Sequence, residues 1–414
     1  MDRLLILQHR AALSPIRAVP TEVWQRMFLL AIESEDDTHP HPKLSTLSAV
    51  SRQWRQAALG HCPLWTWLPP VNFKDVKAAP EAAPKMKAGI NTYLQRAGAL
   101  PLRVYVEVTL DVWDKHAGIV KDVVRLLIQH CNRWENVSVD APIELLKFLS
   151  PIQGNLPVLS RLSVAASSKM TFNEGRTTTR INCFSEAPAL RWLSVDTYGT
   201  SFTDEAIFRL PWSQVEDCYI KVNSDDTQKG LIQADPISLR RFHYLCEAPN
   251  LHSSTPISIP SLELLDMRAK QRGDLLLPFI DLLTASSVKW LELRGTPDAA
   301  DDMYRAVLGF VRRSQCTLTH LAMDTLKLAR SPRVDLVNET LALCPELTDL
   351  EMCNVNAIFQ NVTSLFDSSS SLPTLRKLQN LFLRSTDSSA LISGEALAHF
   401  IASRSGPTIA LQGI

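Results

Sequence analysis

From about residue 100 one pattern of apolar positions keeps returning: an apolar residue, two others, an apolar residue, one other, an apolar residue. It occurs in "WENVSV" (Trp134, Val137, Val139), "LSRLSV" (Leu159, Leu162, Val164), "LRWLSV" (Leu190, Leu193, Val195), "VEDCYI" (Val215, Cys218, Ile220) and "LRRFHY" (Leu239, Phe242, Tyr244). It continues in "LELLDM" (Leu262, Leu265, Met267), "VKWLEL" (Val288, Leu291, Leu293), "LTHLAM" (Leu318, Leu321, Met323), "LTDLEM" (Leu347, Leu350, Met352) and "LQNLFL" (Leu378, Leu381, Leu383). The last two apolar positions of each alternate with polar ones, which predicts a short strand with one face buried. Between them, "GIVKDVVRLLIQHC", "LPFIDLLTAS", "DDMYRAVLGFVRRS" and "RVDLVNETLALC" carry apolar residues three and four apart and predict helices. The segments around residues 196 to 260 carry Ser, Pro and Asp instead, which predicts loops or single helical turns. "LPLRVYVEV" near Leu102 predicts one more strand ahead of the series.

The middle positions lie 23 to 31 residues apart. Leucine-rich repeats recur at roughly 20–29 residues around an L-x-x-L-x-L strand core. Strand then helix, repeated, predicts an α/β fold: an irregular leucine-rich-repeat solenoid over residues 99–414, with a parallel sheet on the concave side and helices on the convex side.

The first seventy residues follow another rule. In "VPTEVWQRMFLLAI", Pro20 and Thr21 provide a helix start. Val23, Met27 and Leu30 then recur at helical spacing, with Trp24, Phe28 and Ala31 in a row one position along. After the polar loop "ESEDDTHPHPK", Leu47, Val50, Trp54, Ala57 and Ala58 again lie at helical spacing, Pro63 ends that helix, and Leu64, Trp65 and Trp67 follow. Such a face is too broad for two or three short helices to hide. It packs against the rest of the chain, or part of it docks on another protein.

These residues resemble an F-box, the helical module that binds the Skp-type adaptor of cullin ubiquitin ligases, and in particular the F-box-like proteins of mushroom-type fungi. The matching positions are Pro20, Glu22, Val23, Trp24, Met27, Phe28, Leu47, Val50, Ser51, Trp54, Arg55, Ala58, Leu64 and Trp65. The resemblance implies an F-box-like module over residues 1–70 and an adaptor-binding surface formed by Pro20, Glu22, Val23, Trp24, Met27, Phe28, Leu47, Val50, Trp54 and Trp65. Residues 71–98 read as a linker, rich in Pro, Ala and Lys, and a helix feeding the first strand. The implied function is that of a substrate-recognition subunit: the first helices hold the adaptor and, through it, a cullin, while the repeats hold a protein target. The rival reading is a leucine-rich-repeat scaffold whose first helices only cap the series.

On each strand, the residues flanking the buried middle position face the concave surface. A partner would there meet Trp192, Tyr219, Arg241, His243, Arg268, Trp290, Glu292, Arg294, Phe382 and Arg384. Aromatic residues and arginine are the usual anchors of protein interfaces.

Composition narrows the classes. Lys+Arg and Asp+Glu balance at 43 each, which gives no electrostatic case for nucleic acid or an acidic membrane surface as partner. The apolar run Leu4–Leu7 is too short for a secretory signal, and no run reaches the ~18 apolar residues of a membrane span. The eight cysteines are scattered, with no C-x-x-C pair, and read as small buried residues in a reducing compartment, the cytoplasm or nucleus. Phosphate-loop, dinucleotide, nucleophile-elbow and H-E-x-x-H motifs are absent, so no enzyme activity, metal or cofactor is expected.

Overall fold

The computed structural model describes residues 15–33, 41–167, 181–198, 208–222, 236–246, 256–269, 276–295, 300–324, 333–353, 375, 377–385 and 408–413. They divide into two compact units, residues 1–160 and 161–414. Both are α/β with parallel strands.

In the first unit, helix α1 (Thr21–Glu33) starts at Pro20, whose carbonyl accepts from the amides of Val23 (3.1 Å) and Trp24 (3.3 Å). Thr21 is therefore the first helical residue and not the cap. The segment expected as one helix around Trp54 is two, α2 (His41–Val50) and α3 (Arg52–Leu59). Ser51 between them is extended (φ −156°, ψ 168°), and its Oγ accepts from the Trp54 amide at 3.1 Å. A serine that satisfies a free amide in this way starts a new helix instead of continuing the old one.

A 3₁₀ turn (Cys62–Trp65) leads into β1 (Val71–Phe73), α4 (Ala79–Ala97), β2 (Leu102–Val108), α5 (Leu110–Ile128), β3 (Trp134–Pro142) and α6 (Ile143–Phe148). The three strands pair in parallel, with Val71 opposite Val106 and Val104 opposite Val137. Residues 71–98 are thus no loose connection: they supply a strand and a 19-residue helix of this unit.

The second unit contains β4 (Arg161–Ser167), β5 (Trp192–Tyr198), β6 (Asp217–Val222), β7 (Arg241–Cys246), β8 (Ile257–Ser258), β9 (Leu264–Ala269), β10 (Leu283–Thr284), β11 (Trp290–Arg294), β12 (His320–Asp324), β13 (Asp349–Cys353), β14 (Asn380–Ser385) and β15 (Thr408–Gly413). Its helices are α7 (Leu277–Leu282), α8 (Ala300–Ser314) and α9 (Val334–Ala342). Apart from β8 and β10, which pair with each other, the strands follow chain order in one parallel sheet. The register aligns the middle apolar residues: Leu162, Leu193, Cys218, Phe242, Leu265, Leu291, Leu321, Leu350 and Leu381 oppose one another from strand to strand, ending on Ile409. From Leu162 to Leu381 all are buried. These residues form one continuous buried row across the sheet, and Phe242 also meets Phe279 of α7 with ring centroids 5.8 Å apart.

Cys131, Cys183, Cys218, Cys246, Cys316 and Cys344 are buried thiols, while Cys62 is exposed. Among the described residues, no helix is long and apolar enough to cross a membrane.

Two candidate interaction surfaces

The first surface is on the helical module. Trp24 and Phe28 point to α3, where their rings lie 4.7 and 5.0 Å from that of Trp54 and 6.0 Å from each other. They are 3% and 2% exposed, whereas Val23, Met27 and Leu30, on the adjacent row of the same helix, are 45–50% exposed. The broad apolar face therefore divides: Trp24 and Phe28, with Ile32, close the module, while Val23, Met27 and Leu30, and also Ala31, stay in water. Val50 on α2 is also exposed, as are Pro20 and Glu22, while Leu47 and Trp54 are half-buried.

Trp24, Phe28 and Trp65, expected on the docking surface, are buried in the chain as it stands. Trp65 is buried, donates from Nε1 to the Ala58 carbonyl at 2.9 Å, and meets Tyr93 of α4 edge-on at 4.7 Å under the Arg96 guanidinium. It fixes the end of the helical module to α4. Leu30, one turn beyond Met27, belongs with the exposed row and is missing from the expected set, although its spacing signalled it.

The second surface is the polar face of the sheet in the second unit. Alternation places the expected residues there, and the register pairs them. Lys221 bonds Asp196 at 2.8 Å and Arg241 bonds Asp217 at 2.8 Å. On the same face is Asp266. It is buried, its Oδ2 lies 3.1 Å from His243 Nδ1, and the Arg268 guanidinium grips both its oxygens at 3.0 and 2.9 Å. Burial by itself raises the Asp266 carboxyl, but the hydrogen bonds from His243 and Arg268 outweigh it and hold the group below the usual carboxylate range. The bond to Asp266 in turn raises the Arg268 guanidinium.

The network continues across strands. Arg268 reaches Glu292 at 3.2 Å, Arg294 also bonds Glu292, and Arg294 approaches Glu351 at 3.8 Å. Glu292 is thus buried under two guanidiniums and is not the freely offered acid the pattern suggested. Tyr219, Trp290 and Phe382 are exposed, and Trp192 is half-buried beside the Arg161 guanidinium. Trp290 stacks on His320 with ring centroids 3.5 Å apart. Burial lowers the His320 imidazole below the usual histidine range, against the pull of Asp349, Glu292 and Glu351. The Arg384 side chain lies outside the described residues.

The face can hold charged and aromatic groups of a partner in fixed positions. The sequence matches no family model and no curated protein.

Proposed function

We propose that this chain is the substrate receptor of a Skp–cullin–F-box type ubiquitin ligase in the cytoplasm or nucleus. Helix α1 docks the adaptor, and the leucine-rich-repeat sheet holds the protein target. The observation that carries the reading is the division of α1, which leaves Val23, Met27 and Leu30 in water while Trp24 and Phe28 already have their partners. Such a stripe on a rigid helix suits a helix-in-groove contact. The chain performs no chemistry of its own in this role. Holding a target beside a ubiquitin-loaded enzyme raises the effective concentration of the reacting groups.

The stripe alone does not suffice. Completing the burial of three half-exposed side chains contributes roughly 3 kcal/mol, below the ~4–15 kcal/mol cost of association. Docking therefore needs further contacts, and Val50, Pro20 and Glu22 are the exposed residues available from the family pattern. A second reading, a repeat scaffold capped by its first helices, draws support from Trp65, whose seat on α4 ties the module to the body of its unit.

The test is a pull-down with a purified Skp-type adaptor. The intact chain should bind and a Val23→Ser, Met27→Ser, Leu30→Ser variant should not, with unchanged circular dichroism. Retention of both, or of neither, leaves the capped scaffold.

A further inference from the structure

The polar face of the second unit is unevenly balanced. From β5 to β9, Asp196, Asp217 and Asp266 each have a cationic partner, Lys221, Arg241 and Arg268. From β11 to β13 the balance fails. Arg294 serves both Glu292 and Glu351, while Asp349 accepts from Thr348 Oγ1 and Asn380 Nδ2, each at 2.5 Å, and makes no ion pair among the described residues.

Two independent features mark the same place. Ala322 puts a single methyl group between Glu292 on one neighbouring strand and Glu351 on the other, and Arg294 crosses this gap to reach Glu351. The exposed rings of Trp290 on β11 and Phe382 on β14 stand on either side, three strand steps or ~14 Å apart. His320, in register with Trp290 and Asp349, is only 9% exposed, and neither of its ring nitrogens has a hydrogen-bond partner among the described residues. An imidazole with no partner among the described residues, under a tryptophan and among carboxylates, can accept from an incoming N–H donor.

We propose that the face over β11–β14 receives a lysine or arginine side chain from a basic segment of a partner protein. The cation enters over the row of Trp290, His320 and Asp349, beside the gap that Arg294 spans, and meets Asp349. A cation there supplies the charge that Asp349 lacks and lies against ring faces that attract it, while its methylenes cover apolar surface. Nucleic acid and anionic lipid are repelled by the same carboxylates. The proposal deepens the receptor reading by naming the class of target, but it requires no adaptor.

The test uses the full chain and fluorescein-labelled octalysine, with octaglutamate as the opposite charge, read by fluorescence anisotropy at physiological salt. Octalysine should bind and octaglutamate should not. Trp290→Ala and Asp349→Asn should each weaken binding about tenfold, and Phe382→Leu, an exposed change that keeps apolar bulk, by several-fold. Asp217→Asn, at the balanced end, should change it less than about twofold. Unchanged circular dichroism and melting certify each variant. The proposal falls if octalysine does not bind, if octaglutamate binds as well, or if Asp217→Asn weakens binding as much as Asp349→Asn. It also falls if free spermine binds more tightly with the same dependence on Trp290 and Asp349, because the site then serves a polyamine. Adaptor retention by the same preparations separates failure here from failure of the receptor reading.

Discussion

Replacing Phe28 with alanine should loosen the helical module, whereas replacing Met27, its neighbour in sequence, should not. Phe28 is fully buried against Trp24 and Trp54. Truncating a buried phenylalanine to alanine costs about 3–5 kcal/mol, the lost transfer energy plus the cavity left behind. The three rings that hold α1 to α3 are then reduced to one pair, Trp24 and Trp54, 4.7 Å apart. Met27 is half in water, and its truncation should stay within about 0.5 kcal/mol. Hydrogen exchange on the full chain separates the two, because it reports local opening where a single melting curve over two units does not. Phe28→Ala should speed exchange of the protected α1 and α3 amides by roughly 10²- to 10³-fold, with β5–β7 unchanged; Met27→Ala should alter it about twofold at most. Equal acceleration by both substitutions, or none by Phe28→Ala, would refute the division of α1 into an interior and an exposed row.

Ser51→Ala should cost about 1 kcal/mol by removing the cap on the Trp54 amide, and Ser51→Asp, which can cap equally well, should restore α3 protection in the same exchange measurement. Asp266→Asn should lower the unfolding free energy of the second unit, read by urea titration at neutral pH, by about 1–2 kcal/mol, a modest figure because Arg268 is half-exposed. The Asp266 carboxyl is held below its ordinary value, so its stabilisation is full above the unfolded value of ~3.9 and is lost as pH falls through the lower folded one. The wild-type protein should therefore lose more stability than Asp266→Asn in that acid range. The buried His320 is also lowered, so the unfolded chain takes up its proton first, and stability should decline as pH falls below ~6.5. His320→Leu should remove that part of the decline between pH 7.5 and 5.5, and parallel melting-temperature profiles for the two proteins would contradict it.

Much of this could be read from the chain because a strand's two faces differ at every second residue. The returning L-x-x-L-x-L cores located the strands from Val137 to Leu381, and the middle residues meet in register as the spacing implied. The exceptions have local causes. β1 is three residues long, too short for alternation to stand out from its Pro- and Lys-rich surroundings. β15, "TIALQG", lacks the leading apolar residue two positions before the strand core. The break at Ser51 turns on one hydroxyl oxygen that competes with the helix backbone, which apolar spacing does not register.

The candidate surfaces were legible only as far as side, not as far as partner. Val23 and Trp24 are consecutive members of one apolar face, and helical spacing ranks both as contact residues. Only the seat of Trp54 on α3 decides which row is already occupied. The sheet poses the same problem with charge. Alternation placed Glu292, Arg268 and Arg294 on one face, but whether an acid there is offered to a partner depends on neighbours more than twenty residues away in sequence. Asp266 and Glu292 are consumed by arginines two or more residues distant on their own and adjacent strands. Among the described residues Asp349 is left with hydrogen bonds and no ion pair, while Arg294 reaches Glu351 across Ala322. Which carboxylate already has a cation is thus set by pairings between strands, which the alternation along any one strand does not register.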